Sequence, residues 1–134
     1  MDCPHLKISV REFVSLQQRG GSLYGAKNFS GISSALAAGT SAHQLLQAEL
    51  AQQHPGYLKE VYVSDTLQFD NLRVDISGRI DGIYPSENSV ILEEIKSTSM
   101  VHAMRHQLET DPDHPAILQV KTYAYLYWRK YGQI

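Results

Sequence analysis

The residues with the most chemical content fall in one short stretch, Asp81 and then, past the turn signal Pro85-Ser-Glu-Asn88, the run Glu93-Glu94-Ile95-Lys96. Successive side chains of an extended strand alternate faces, so Glu94 and Lys96 share one face while Glu93 and Ile95 share the other. A hairpin turning at Pro85 to Asn88 and pairing Tyr84 with Ser89 would set Asp81 opposite Leu92 and Arg79 opposite Glu94. Asp81 then lies diagonal to Glu94 on the same face, ~7 to 8 Å away at the backbone. Two carboxylates and an amine converge in that register. Hard oxygen ligands hold Mg2+ or Mn2+, and such an ion polarises a phosphate and lowers the pKa of water. The triad therefore suits metal-assisted phosphodiester hydrolysis, with Lys96 positioning the water and stabilising the developing charge. The competing reading is a solvated cross-strand salt bridge, worth under ~1 kcal/mol.

These residues need a scaffold, and 134 residues allow one domain. With 43% apolar and 19% charged residues the composition is that of a globular chain, not a disordered one. No apolar run approaches the ~18 residues of a membrane span, and Met1 to Val10 lacks the pattern of a signal peptide, so a cytoplasmic protein away from membranes is expected. Cys3 is the only cysteine, which excludes an internal disulfide, a cysteine zinc site and a four-cysteine iron-sulfur cluster within the chain. Twelve basic against fourteen acidic residues leave a net charge of -2. Bulk charge thus does not announce nucleic acid, nor does it forbid it, since a bound divalent cation reverses the local field.

Along the chain, Ser9-Val-Arg-Glu12 has the spacing of a capping box and predicts a short helix stopping at Gly20-Gly21. A long helix is expected from about Ser33 to His54, with Leu36, Leu46 and Leu50 at helical intervals and Pro55-Gly56 ending it. Strands follow: one carrying Val61, Val63 and Phe69, one carrying Leu72, Val74 and Ile76, joined at Asp70-Asn71. Gly78 to Tyr84 and Ser89 to Thr98 form the antiparallel hairpin of the acidic residues. A helix around Met100 to Leu108, a polar loop, and a helix opened by Pro115 and running to about Lys130 complete the order. Helix, strand meander and helices imply an α+β fold, helices flanking a mostly antiparallel or mixed sheet.

Gly78-Arg-Ile-Asp81-Gly-Ile followed by Val90-Ile-Leu-Glu-Glu94-Ile-Lys96-Ser-Thr98 resembles the core of the PD-(D/E)XK nucleases, in detail their RecB-like branch. Gly39-Thr-Ser-Ala-His43 resembles that branch's helical histidine motif, and Gln119-Val-Lys-Thr-Tyr123 its Q-x-x-x-Y motif. The resemblance implies a restriction-endonuclease-like core over 32–130, with 1–31 a helical extension. It makes Asp81, Glu94, His43 and the backbone carbonyl of Ile95 the ligands of Mg2+ or Mn2+, and Lys96 the catalytic lysine. Gln119 and Tyr123, one helical turn apart, would stand beside it and hold the lysine or a DNA phosphate. The implied activity is a metal-dependent deoxyribonuclease, a RecB-like exonuclease of DNA repair or recombination, acting on single strands or ends.

The resemblance has departures. Iron-sulfur members need four cysteines, so this chain is similar to a cluster-free subgroup. The family core continues past the Q-x-x-x-Y helix into a further strand, so the expectation is a domain or truncated piece of a longer chain. Ile8-Ser-Val-Arg-Glu-Phe13 and Glu93-Glu-Ile-Lys-Ser-Thr98 look most like the nuclease domain preceding an XPD/DinG-like helicase, which makes a helicase domain or subunit a candidate partner. The alternative function is a catalytically silent module of the same fold that binds nucleic acid or a helicase. His102 and His106, spaced i, i+4, offer a zinc pair, but no Glu follows His102 as the zinc-protease motif requires. Tyr125, Tyr127 and Trp128 are expected mostly in the core, with an exposed ring able to stack on a base.

Overall fold

The β-branched and aromatic run that begins at Leu58 folds as one long hairpin, β2 (Leu58–Phe69) and β3 (Leu72–Ser86), closed by the two-residue loop Asp70-Asn71 with Asp70 at φ 43°. Its alternation buries Val63, Val74, Ile76 and Ile80 on one side. The computed structural model describes residues 3–17 and 32–132, with side chains from 39 onward in the second stretch. Around the hairpin lie β1 (His5–Ser9), α1 (Val10–Gln17), α2 (Ile32–Gln53), β4 (Ser89–Glu93), α3 (Val101–Thr110) and α4 (Pro115–Tyr131). The fold is α+β, with four helices and a mixed four-stranded sheet among the described residues.

β3 is the strand on which everything else is hung. β2 pairs antiparallel along 72–83. The other edge is shared by β1, parallel at Arg73 to Ser77, and β4, antiparallel at Gly82 to Ser86. Between them the four residues Gly78 to Asp81 have no strand partner on that edge among the described residues, and the acidic motif sits at this opening.

Three expectations are corrected here. The β3–β4 turn is the two-residue loop Glu87-Asn88, with Glu87 at φ 48°, so Ser86 pairs with Ser89 and Gly82 with Glu93. A two-residue loop fixes the register, and Pro85 is tolerated inside the strand because β2 has already ended at Ile83 and leaves an edge where no N–H is needed. The shift is even, so faces are kept, but continuing the register puts Asp81 directly opposite Glu94 rather than diagonal to it. Secondly, β4 stops at Glu93, and Glu94 to Thr98 run on outside the ladder. Thirdly, the N-terminal segment is not only helical: β1 joins the sheet, and Val10 and Val14 of α1 enter the core.

Ser9 caps α1 by accepting from the Glu12 amide at 3.0 Å, as the capping box requires. The stop at Gly20-Gly21 and the Leu36 side chain lie outside the described residues. α4 opens on Pro115, with His114 Nδ1 accepting from the Ala116 amide at 3.1 Å, and ends at Gly132, whose φ of 73° suits a left-handed cap. Its buried face is Ala116, Gln119, Tyr123 and Leu126. Tyr125 and Trp128, expected mainly in the core, are exposed, while Tyr127 packs against the core edge. The core proper joins Val10, Val14, Val63, Val74, Ile76, Ile80, Ile83, Tyr123 and Leu126. No helix among the described residues is long and apolar enough to cross a membrane.

Candidate functional site

α2 reaches the opening in β3 by polar contacts. Among its described side chains only Gln47 is buried, while Leu45 and Leu46 stay exposed. A Cβ at Gly39 would stand 2.9 Å from Ser97 Oγ, so glycine is what lets α2 lie against the segment after β4. One turn later His43 arrives over β3, its Nε2 3.1 Å from Asp81 Oδ1. Gln47, a turn further, donates from Nε2 to the Asp81 carbonyl at 2.9 Å and to Glu60 Oε1 at 3.0 Å. Glu60 stands opposite Asp81 where the β2–β3 ladder is interrupted, and its φ of 53° is left-handed.

On the other side of Asp81 its Oδ2 accepts from the Ile95 amide at 2.6 Å, which ties the segment after β4 to β3. Glu94, with 9% of its side chain exposed, is paired through Oε1 with Lys96 Nζ at 2.9 Å. Burial raises the Glu94 carboxyl above the ordinary range; the Lys96 hydrogen bond works against this, and the Asp81 charge adds to it. Tyr123 lies over Gly78, where a Cβ would come within 2.8 Å of its ring. Its phenol is pushed up to about 12, first by burial and then by the charges of Glu94 and Asp81. Gln119, buried on the same face of α4, keeps an amide oxygen without a hydrogen-bond partner.

His43, Asp81, Glu94, Ile95 and Lys96 thus line one cleft of about 750 Å³, together with Glu60, Gln47 and Arg79. The sequence missed Glu60 and Gln47. Glu60 sits in a strand whose alternation gives it no special mark, and its only sequence signal is a carboxylate at the start of the strand that precedes the Asp81 motif. Gln47 carried a signal that could have been used, the i, i+4 spacing from His43 that puts both on one face. Among the described residues, the group of three metal-ligating side chains with atoms within 4.8 Å of one another is His43, Glu60 and Asp81. Glu94 stands outside that group, turned to Lys96. His102 and His106 are exposed on α3 and belong to no such group. Glu93, opposite Gly82, lies on Tyr57, whose pKa it helps raise after burial.

The donor set suits a hard divalent cation. His43 Nε2 and Glu94 Oε2 are buried without a hydrogen-bond partner, and buried polar atoms are ordinarily satisfied. The 3.1 Å between His43 Nε2 and Asp81 Oδ1 lacks hydrogen-bond geometry. It is close to the ~3.0 Å between adjacent ligands that each stand ~2.1 Å from one octahedral ion. No family model, curated protein or solved structure matches the chain.

Proposed function

We propose that the protein is a divalent-metal-dependent deoxyribonuclease with a restriction-endonuclease-like core of the RecB type. The observation that carries this reading is convergence: His43 from α2, Asp81 from β3, and Glu94 and Lys96 from the segment after β4 line one cleft at the break in the sheet, with Tyr123 of α4 in the core behind it, over Gly78. His43 belongs to one motif and Asp81, Glu94 and Lys96 to another, and a set of unrelated surface charges has no reason to gather from separate elements.

When bound, Mg2+ or Mn2+ supplies a Lewis acid for the phosphoryl oxygen and makes water a stronger acid. His43, Asp81 and Glu94, with the Ile95 carbonyl, are the groups that would hold it. Lys96, held by Glu94 and open to the cleft, orients the attacking water through its ammonium and offsets negative charge growing on the phosphoryl oxygens. With its raised pKa, Tyr123 keeps its proton through the neutral range and acts as an O–H donor to a phosphate. The unpaired Gln119 amide oxygen is an acceptor suited to the lysine ammonium. DNA strands or ends are the substrate, and a helicase domain or subunit that delivers them is the fitting partner.

Purified protein, stripped of metal, is offered labelled single- and double-stranded DNA with Mg2+, with Mn2+ or with excess EDTA. Cleavage that needs the cation is expected. Undiminished cleavage in EDTA by a preparation free of contaminants overturns the reading. Binding without cleavage in both metals leaves the silent nucleic-acid module of the same fold.

A further inference from the structure

Glu60 has no part in the motifs that led to the site, yet it, rather than Glu94, groups with His43 and Asp81. Its carboxylate is held by Gln47, its Oε1 is 3.9 Å from His43 Nε2, and it stands across the interrupted ladder from Asp81. The neighbouring buried Glu94 lines the same cleft with an Oε2 that lacks a hydrogen-bond partner. The Glu60 carboxylate and the His43 imidazole gathered at the Asp81 carboxylate, beside the unsatisfied carboxylate of Glu94, point to a cation. Four basic side chains, Arg11, Lys59, Arg79 and Lys96, line the same cleft, and Lys96 pairs with Glu94 rather than with Glu60 or Asp81.

We infer that Glu60 is an additional protein ligand of the divalent cation and that Gln47 is the residue that positions it. The inference rests on the reading of this cleft as a cation site. Gln47 is 3% exposed and gives one Nε2 to both Glu60 Oε1 and the backbone carbonyl of Asp81, so it ties the Glu60 carboxylate to the main chain at Asp81. It is a positioning residue, since the atom it turns to Glu60 and Asp81 is a donor, not a ligand. Glu60, 45% exposed along its side chain, leaves room for the waters that Mg2+ and Mn2+ keep.

The test is calorimetric titration of Mn2+ into the metal-stripped full chain, with thermal unfolding in EDTA as the control for folding. Glu60→Gln should weaken Mn2+ binding at least about ten-fold, and Gln47→Leu about ten-fold, the usual order for a residue that orients a ligand. Gln47→Leu combined with Glu60→Gln should bind no more weakly than Glu60→Gln alone, because Gln47 acts through Glu60. Glu60→Gly suits the left-handed φ and should unfold no earlier than wild type in EDTA while losing affinity, which separates ligation from folding. Wild-type affinity in Glu60→Gln and Glu60→Gly removes Glu60 from the centre and leaves the nuclease reading standing. Glu60-dependent Mn2+ binding without any DNA cleavage does the reverse. A wild-type chain that binds no Mn2+ overturns both.

Discussion

β3 carries two histidine–aspartate pairs, and they differ in what they leave undone. Near its start, Asp75 takes His5 Nε2 on one oxygen and the Thr66 hydroxyl on the other, each at 2.6 Å. Both carboxylate oxygens have partners, and the Thr66 bond, followed by His5, holds the Asp75 carboxyl below the ordinary range. Past the middle of the strand, Asp81 meets His43 at 3.1 Å without a hydrogen bond, and His43 Nε2 and Glu94 Oε2 are buried and unpaired. The residue types are the same in both places. The first cluster is complete in itself and reads as structure; in the second, unpaired atoms of His43 and Glu94 line one cleft with Asp81 and Glu60. Glu93 Oε2 and the Tyr57 hydroxyl are buried and unpaired too, so the gathering of ligand groups in one cleft, not the lack of a partner alone, marks the site.

The largest effect that would break this contrast is a catalytic one. Asp81→Asn and Glu94→Gln should each reduce cleavage by at least ~10²-fold, the scale of losing a group that acts in the transition state, while Asp75→Asn and Glu93→Gln keep most of it. Glu94 is paired with Lys96 just past the end of β4, whereas Glu93, opposite Gly82, is turned from that pair and its charge helps raise the Tyr57 phenol. Initial cleavage rates in saturating Mn2+ decide. If Glu93→Gln is the inactive variant, the face assignment of the whole hairpin is wrong.

Lys96 sharpens the contrast from within the site. Lys96→Ala should lower the cleavage rate by ~10²-fold and leave Mn2+ affinity within about two-fold, since the amine acts on water and phosphate rather than on the ion. Calorimetry and kinetics on the same preparation separate the two effects. Equal losses in both would make Lys96 a part of the cation site.

The two clusters were not equally legible. Asp81, Glu94, Lys96, His43, Gln119 and Tyr123 come from local patterns, and the long hairpin and terminal helix came from alternation and from Pro115. β1 was missed because two apolar residues, Leu6 and Ile8, in a five-residue segment make no period, and its partner strand lies far along the chain. The same blindness hid Glu60. Its role depends on standing opposite Asp81 and under Gln47, contacts between elements that a linear pattern does not contain. The register error had a smaller cause: Pro85 was read as a turn residue, whereas it stands at an unpaired edge, where a strand accepts it.

His43 predicts a moderate effect on selectivity. An imidazole ligand favours Mn2+ over the harder, oxygen-seeking Mg2+. His43→Ala should therefore lose Mn2+ affinity more than Mg2+ affinity, so that the ratio of the two falls several-fold. The competition is read by calorimetry in each metal. An unchanged ratio would count His43 among groups that merely face Asp81.

The smallest effect belongs to the completed cluster, and its sign is fixed. Because the folded protein holds the Asp75 carboxyl below its ordinary value of 3.8, the charged form is favoured by folding. The stabilisation is present above that value and is lost as pH falls through the lower folded one. The Asp75 side chain is 30% exposed, so the benefit is modest and screened by salt. Asp75→Asn should melt slightly below wild type from pH 7 down to about 5, and the two curves should converge as pH drops below the ordinary carboxylate range. A gap that persists unchanged at acid pH would mean that the carboxylate charge contributes nothing and that the amide loses contacts the protonated acid keeps. Melting temperatures at low salt across that range measure it, and added cation should leave the gap untouched, since this pair has no open valence for an ion to fill.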